Sequence, residues 1–214
     1  MSVGWDNSHG EFTIEDYYYF SKLRRYAEKE GIEIYEIRNF NKLGDYDVIV
    51  FNYPEKDFRS QEVAKIRRWL KAGKRVIFAA YYENMDGVAE RINKALAKME
   101  FNVRINNDVV MDPVNNYDDV LFPKAKYGEN TVVMPCSASV SAKDCAIIET
   151  FETAKCHPTG IEKPTLGVKL NVGGELIVLG TCVFWDNFAI EWENNKTLAL
   201  DLLRGTRTDS TRPP

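Results

Sequence analysis

The densest group of reactive side chains in the sequence is Asp6-Asn7-Ser8-His9-Gly10-Glu11, which places two carboxylates and one of only two histidines within six residues. A neutral imidazole beside carboxylates could hold a divalent metal from a loop. The same trio could work as an acid/base pair, because imidazole titrates near neutrality and a carboxylate can orient it. With Asp186 or Glu83 opposite, Asp6, His9 and Glu11 would form a metal-dependent hydrolase site. The plainer chemistry is conformational, and it is the leading expectation. Asp6 suits an Asx-type turn to Ser8 or His9, Gly10 supplies a backbone angle that other residues resist, and Glu11 favours the start of the next helix. No resident metal or cofactor is expected.

The elements that position this group follow from hydrophobic periodicity. Val3 to Trp5 is a short apolar start, and Thr13, followed three residues on by Asp16, reads as a helix N-cap. Tyr19, Leu23 and Tyr26 continue at helical spacing until Gly31. Residues 32–37 alternate apolar and polar, which predicts a half-exposed strand at a sheet edge. Residues 47–52 and 75–80 are continuous apolar runs of strand length, as in strands buried on both faces. Between them lies a helix with Ser60 near its start, Val63, Ile66 and Leu70 on one face, and Gly73 as its stop. Asp86 is read as opening a helix that carries Val88, Ile92, Leu96 and Met99.

From about Phe101 to Val172 the pattern changes to short β-like pieces (103–105, 131–134, 146–151, 166–172), read as a β-rich insertion or extension. Gly173-Gly174 turns into a buried strand at 175–180, and Asn194-Asn195 opens a last helix with Leu198, Leu202 and Leu203 inward. The fold class expected is therefore α/β and three-layered, a mostly parallel sheet flanked by helices. Residues 1–205 read as one domain with the insertion at 101–172, and 206–214 as a linker-like tail that continues into something else.

In an open α/β sheet, ligands gather outside the carboxyl ends of the strands. Those ends place Asp6, Asn7, Ser8 and His9 on one rim with Asn52, Tyr81, Tyr82, Trp185 and Asp186. These residues, together with Glu11, are the candidate ligand-binding set; no catalytic residue and no metal ligand is assigned. Consecutive rings at Tyr17-Tyr18-Tyr19-Phe20 cannot all face one core, since neighbouring helix positions point about 100° apart. Phe184, Trp185, Phe188 and Trp192 pose the same question in a late loop, and exposed aromatics are favoured interface anchors.

Three segments carry a resemblance: the Asp6-x-x-His9-Gly10 turn; the order of strand, Pro54, helix, Gly73 and strand; and Ile177 to Thr181 with Asn194-Asn195 before a leucine-rich helix. Together they resemble the class I glutamine-amidotransferase-like superfamily. Within it they are similar to the non-catalytic branch of gliding-motility and ABC-transport auxiliary proteins and intraflagellar-transport N-terminal domains. The resemblance implies a flavodoxin-like fold and a scaffolding or transport-associated role. A glutaminase of this kind needs a cysteine after the 75–80 strand, where Tyr81-Tyr82 stand, and a late His-x-Glu, whereas His157 is followed by Pro158-Thr159. The function expected is a non-catalytic ligand-recognition or protein-interaction module. A metal-dependent hydrolase and a nucleic-acid-process accessory protein are the alternatives.

Composition narrows the partners. With 28 basic against 32 acidic residues the net charge is −4, which lacks the field of a dedicated nucleic-acid binder. The basic clusters Lys22, Arg24, Arg25 and Lys65, Arg67, Arg68, Lys71 have acids nearby and read as solvated helix faces. No run approaches a membrane span, and no signal pattern opens the chain, so a soluble, cytoplasmic protein with a protein partner or further domain is expected. A charged fraction of 28% with five methionines suits a thermophile. Cys136, Cys145, Cys156 and Cys182 form no C-x-x-C and read as buried or idle thiols, with disulfide pairing left open. His157 is read as a loop residue; zinc on Cys145, Cys156 and His157 would lack recognised spacing.

Overall fold

The computed structural model describes residues 2–10 and 12–204. Its first half alternates as the periodicity predicts: β1 Ser2–Asp6, α1 Tyr17–Lys29, β2 Glu33–Ile37, β3 Val48–Asn52, α2 Ser60–Lys71, β4 Arg75–Ala79 and α3 Val88–Lys98. Short strands follow: β5 Arg104–Ile105, β6 Val109–Met111, β7 Lys124–Tyr127, β8 Asn130–Val133, β9 Val140–Ser141, β10 Ala146–Thr150, β11 Lys155–His157 and β12 Thr165–Asn171. Strand β13 Glu175–Leu179 and helix α4 Asn195–Leu203 come last.

Nine strands form one sheet in the order β2-β1-β3-β4-β13-β12-β10-β7-β8. From β2 to β13 every pairing is parallel, and from β13 to β8 every pairing is antiparallel. The region after Phe101 therefore widens the sheet by four strands, while its remaining strands pair as β11-β6 and β5-β9. Every residue of β3, β4 and β13 is buried, which accounts for their unbroken apolar runs, whereas β2 lies at the edge and alternates. Helices α1 and α4 pack with Trp5, Val50 and Ile77 on one face of the sheet. Helices α2 and α3 pack with Ile49, Phe51 and Phe78 on the other, giving three layers.

Local chemistry corrects several boundaries. Asp16, not Thr13, caps α1: its carboxylate accepts the amides of Tyr18 (2.9 Å) and Tyr19 (3.3 Å). Helix α3 starts at Val88 and not at Asp86, because Glu83, Asn84 and Asp86 adopt left-handed conformations in the turn before it. His157 lies in strand β11, paired to β6, and not in a loop. The Gly173-Gly174 hairpin is as expected, with Gly173 at φ +99 and the Val172 amide donating to the Gly174 carbonyl (2.8 Å). The buried Asn195 side chain bonds both the amide and the carbonyl of Val133 (2.8 Å each), which fastens α4 to β8.

Gly180, just past β13, accepts the Ala138 amide at its carbonyl (3.0 Å) and so ties the segment before β9 to the sheet. A Cβ there would lie 1.9 Å from the Ala138 carbonyl oxygen. Gly180→Ala is expected to destabilise the protein by about 3 kcal/mol or more, because backbone and not a flexible side chain must move. Urea unfolding checks this, and an unchanged midpoint would refute it.

Candidate functional site

Asp6 ends β1, and its carboxylate organises the turn that follows. One oxygen accepts the Ser8 amide (3.0 Å) and hydroxyl (2.6 Å), and the other accepts the His9 amide (3.2 Å). This is the Asx-type turn expected from the residues. Gly10 serves it differently from expectation. It has no positive φ, but a Cβ would lie 3.2 Å from the Tyr53 carbonyl oxygen and 3.3 Å from that of Asn52, so what it supplies is close approach to the end of β3. Glu11 lies outside the described residues.

The His9 ring is buried, 4% exposed, and both its nitrogens meet carboxylates: Nδ1 is 2.9 Å from Asp6 Oδ2 and Nε2 is 3.2 Å from Glu62 Oε2. The ring stacks on Phe58 at 4.4 Å between centroids and meets Phe40 and Phe51 edge-on. Burial pushes the imidazole pKa down, but the hydrogen bonds and charges of Asp6 and Glu62 outweigh burial and raise it overall. Glu62, near the start of α2, also accepts the Arg59 amide (2.8 Å) and guanidinium (2.6 and 2.9 Å). Burial pushes its carboxyl up, and the bonds from Arg59 and His9 bring it below its ordinary value.

With Nδ1 and Nε2 each in hydrogen-bond contact with a carboxylate, neither ring nitrogen of His9 faces open space where a metal could sit. Among the described residues, no group of three or more His, Cys, Asp or Glu side chains could hold one. His9 is thus placed as a latch between the β1 turn and the start of α2, with Asp6, Ser8 and Glu62, and not Asp186 or Glu83, as the hydrogen-bond partners of its ring. Glu62 was not among the candidates. Its signal was present, an acid three residues after the helix entry at Arg59, but nothing local ties it to residue 9.

The remaining candidates divide. Asn7 bonds Glu36 on β2 (2.7 Å). Asn52 is buried and accepts the Trp185 indole N–H (3.1 Å), and Trp185 has no exposed surface, so both support the rim from beneath. Tyr81 directly follows the segment that ends β4 and lines the same cavity as Cys136. Tyr82 packs edge-on against Tyr81 at 4.7 Å. Asp186 opens a turn, accepting the amides of Phe188 (2.9 Å) and Ala189 (3.2 Å), and burial raises its pKa to about 6. All four cysteines are free thiols, and burial pushes each pKa up, that of Cys156 to about 12, which disfavours the reactive thiolate. Cys145 and Cys156 pack into different apolar clusters and so do not combine with His157.

Aromatic exposure also divides. Phe184 and Trp185 are buried, whereas Tyr17, Tyr18 and Phe188 are 85%, 78% and 55% exposed. Asn187, the neighbour of Phe188 along the chain, ties this loop to the start of α1. Its amide N–H donates to the Tyr19 carbonyl (2.6 Å), its side-chain NH₂ donates to the carbonyls of Tyr17 (3.1 Å) and Tyr18 (2.6 Å), and its Oδ1 accepts the Lys22 amide (2.9 Å). In the basic clusters, Lys22 pairs with Glu191, Arg24 with Glu15 and Arg67 with Glu100. No helix among the described residues is long and apolar enough to cross a membrane.

No family model matches the chain. Among solved structures, it superposes on the mmIFT52 N-terminal domain with a TM-score of 0.75 at 17% identity, covering 95% of this chain and 98% of that one. It also superposes on the exo-beta-1,4-mannosidase Op5Man5 from Opitutaceae bacterium strain TAV5, with a TM-score of 0.51 at 9% identity, covering 95% of this chain and 34% of that one. These likenesses show a shared fold. An uncharacterized protein of Aquifex aeolicus (strain VF5) is 42% identical over 225 residues, covering 95% of this chain and 93% of that protein. On that identity across nearly the whole of both chains, the protein belongs to the same family as the Aquifex aeolicus protein.

Proposed function

We propose that the protein is a non-catalytic interaction module on an amidotransferase-like fold, and that it docks a protein partner through the Tyr17, Tyr18 and Phe188 surface. The carrying observation is the Asn187 clamp, which holds the start of α1 and the 181–194 loop in one arrangement. A surface ordered before binding loses less conformational entropy on association, and large aromatics are the side chains that anchor interfaces. Two further features support the reading. The histidine best placed for chemistry has both ring nitrogens bound to carboxylates, and Tyr81-Tyr82, not a cysteine, follow the 75–80 segment. The mmIFT52 likeness supports the scaffold but names no partner for this chain.

The test is affinity capture from the cells that encode the chain, comparing wild type with a Tyr17→Ser/Tyr18→Ser/Phe188→Ser variant. The wild type is expected to retain a partner that the variant loses about tenfold or more, with both equally folded. Retention by both would overturn the reading. So would hydrolytic turnover that His9→Ala abolishes.

A further inference from the structure

We infer that the cavity of about 390 Å³ at the carboxyl ends of β3, β4 and β13 binds a small organic ammonium ion, held between its aromatic walls and the Asp186 carboxylate. The walls include Phe12, Tyr19, Tyr53, Tyr81 and Phe188. Phe12 meets Tyr19 (5.1 Å) and Tyr53 (5.0 Å) edge-to-face, and Tyr53 meets Tyr81 (6.0 Å) in the same way, so the rings present faces at steep angles to one another. Such a box attracts a cation through the negative faces of its rings. The volume lies in the range of small-ligand sites, and the place is where open α/β sheets gather ligands.

Asp186 selects the charge. Only backbone amides, those of Phe188 and Ala189, hold its carboxylate, and among the described residues no cationic side chain pairs with it. A half-buried carboxylate among aromatic rings without a counter-ion is a costly arrangement that a bound cation relieves. An anion would be repelled there, and a neutral ligand would leave the charge unpaired. Tyr53 is itself anchored, since its hydroxyl donates to Asp86 (2.7 Å), which holds its ring in place as a wall. Tyr17 and Tyr18 do not line the cavity, and Phe188 is the residue it shares with the docking surface.

The experiment is titration of the purified protein, followed by NMR, with choline and with 3,3-dimethylbutan-1-ol, the neutral carbon isostere of choline. The wild type is expected to bind choline at least about tenfold more tightly than the alcohol. Asp186→Asn, which keeps an oxygen to accept the two amides, is expected to remove that preference while leaving the weak binding of the alcohol unchanged. Equal binding of the two probes to the wild type would overturn the inference, as would binding of neither, and these outcomes decide even if Asp186→Asn fails to fold. Undiminished choline affinity in a folded Asp186→Asn protein would overturn it as well. None of these results bears on capture of a partner by Tyr17 and Tyr18.

Discussion

Exchange of His9 for alanine is expected to lower the unfolding free energy by about 3–5 kcal/mol, because two buried carboxylates lose their shared cationic partner. The stack on Phe58 is lost with it. The pH dependence gives this prediction a signature that a simple packing defect would lack. His9 has a folded pKa raised above 6.5, so its contribution is fully present below about 6.5 and is lost as pH rises through the folded value. Glu62 has a folded pKa lowered below 4.5, so its contribution is present above about 4.5 and is lost as pH falls through the folded value. The difference between wild type and His9→Ala should therefore be largest in mildly acidic solution and shrink on the alkaline side. Urea unfolding across that range measures it. Parallel stability profiles for the two proteins would show that the latch carries no ionic contribution.

Arg75→Met is expected to cost a similar amount, about 3–5 kcal/mol, or a melting point lower by about 10 °C. Arg75 opens β4 and is 8% exposed. Its guanidinium Nε bonds Glu175 at the start of β13 (2.6 Å), and Nη1 donates to the carbonyls of Asp201 (2.8 Å) and Leu202 (2.9 Å), and to that of Arg204. One side chain thus neutralises a buried carboxylate on the neighbouring strand and satisfies carbonyls at the end of α4 that have no partner within the helix. Methionine fills much of the same volume but does neither. The double variant Arg75→Met/Glu175→Leu should recover part of the loss, since it removes a buried carboxylate left with only the longer Lys169 contact (3.3 Å), but not all of it, since the α4 carbonyls stay uncapped. Calorimetry decides this, and an Arg75→Met protein within about 1 kcal/mol of wild type would contradict the ion-pair account.

The elements legible in the sequence were those whose periodicity is set by their own burial. Strands β3, β4 and β13 read as continuous apolar runs because both faces are covered, and β2 read as alternating because it is the sheet edge. The Gly173-Gly174 turn and the Asn194-Asn195 helix entry were legible for the same local reason. Between residues 101 and 172 the pieces Val103–Ile105 and Thr131–Met134 were visible, but β7 (Lys124–Tyr127) was not, since its charged, half-exposed residues carry little apolar signal. Nor did the pattern show that this region joins the same sheet, because strand pairing is a non-local choice.

The same division runs through the site. The amino-acid sequence by itself determined the α/β alternation, the Asx-type turn at Asp6 and the lack of a cysteine after β4, because each depends on neighbouring residues along the chain. Only the tertiary structure decided what His9 does: Glu62 lies 53 positions away, and the packing of α2 against the sheet brings it to the second ring nitrogen. Tertiary packing likewise buried Trp185 against Asn52 while leaving Phe188, three residues later, exposed. Types and spacing along a chain set which conformations are cheap. Which side chains meet, and which charges are left without a partner, is set by how the layers close on one another.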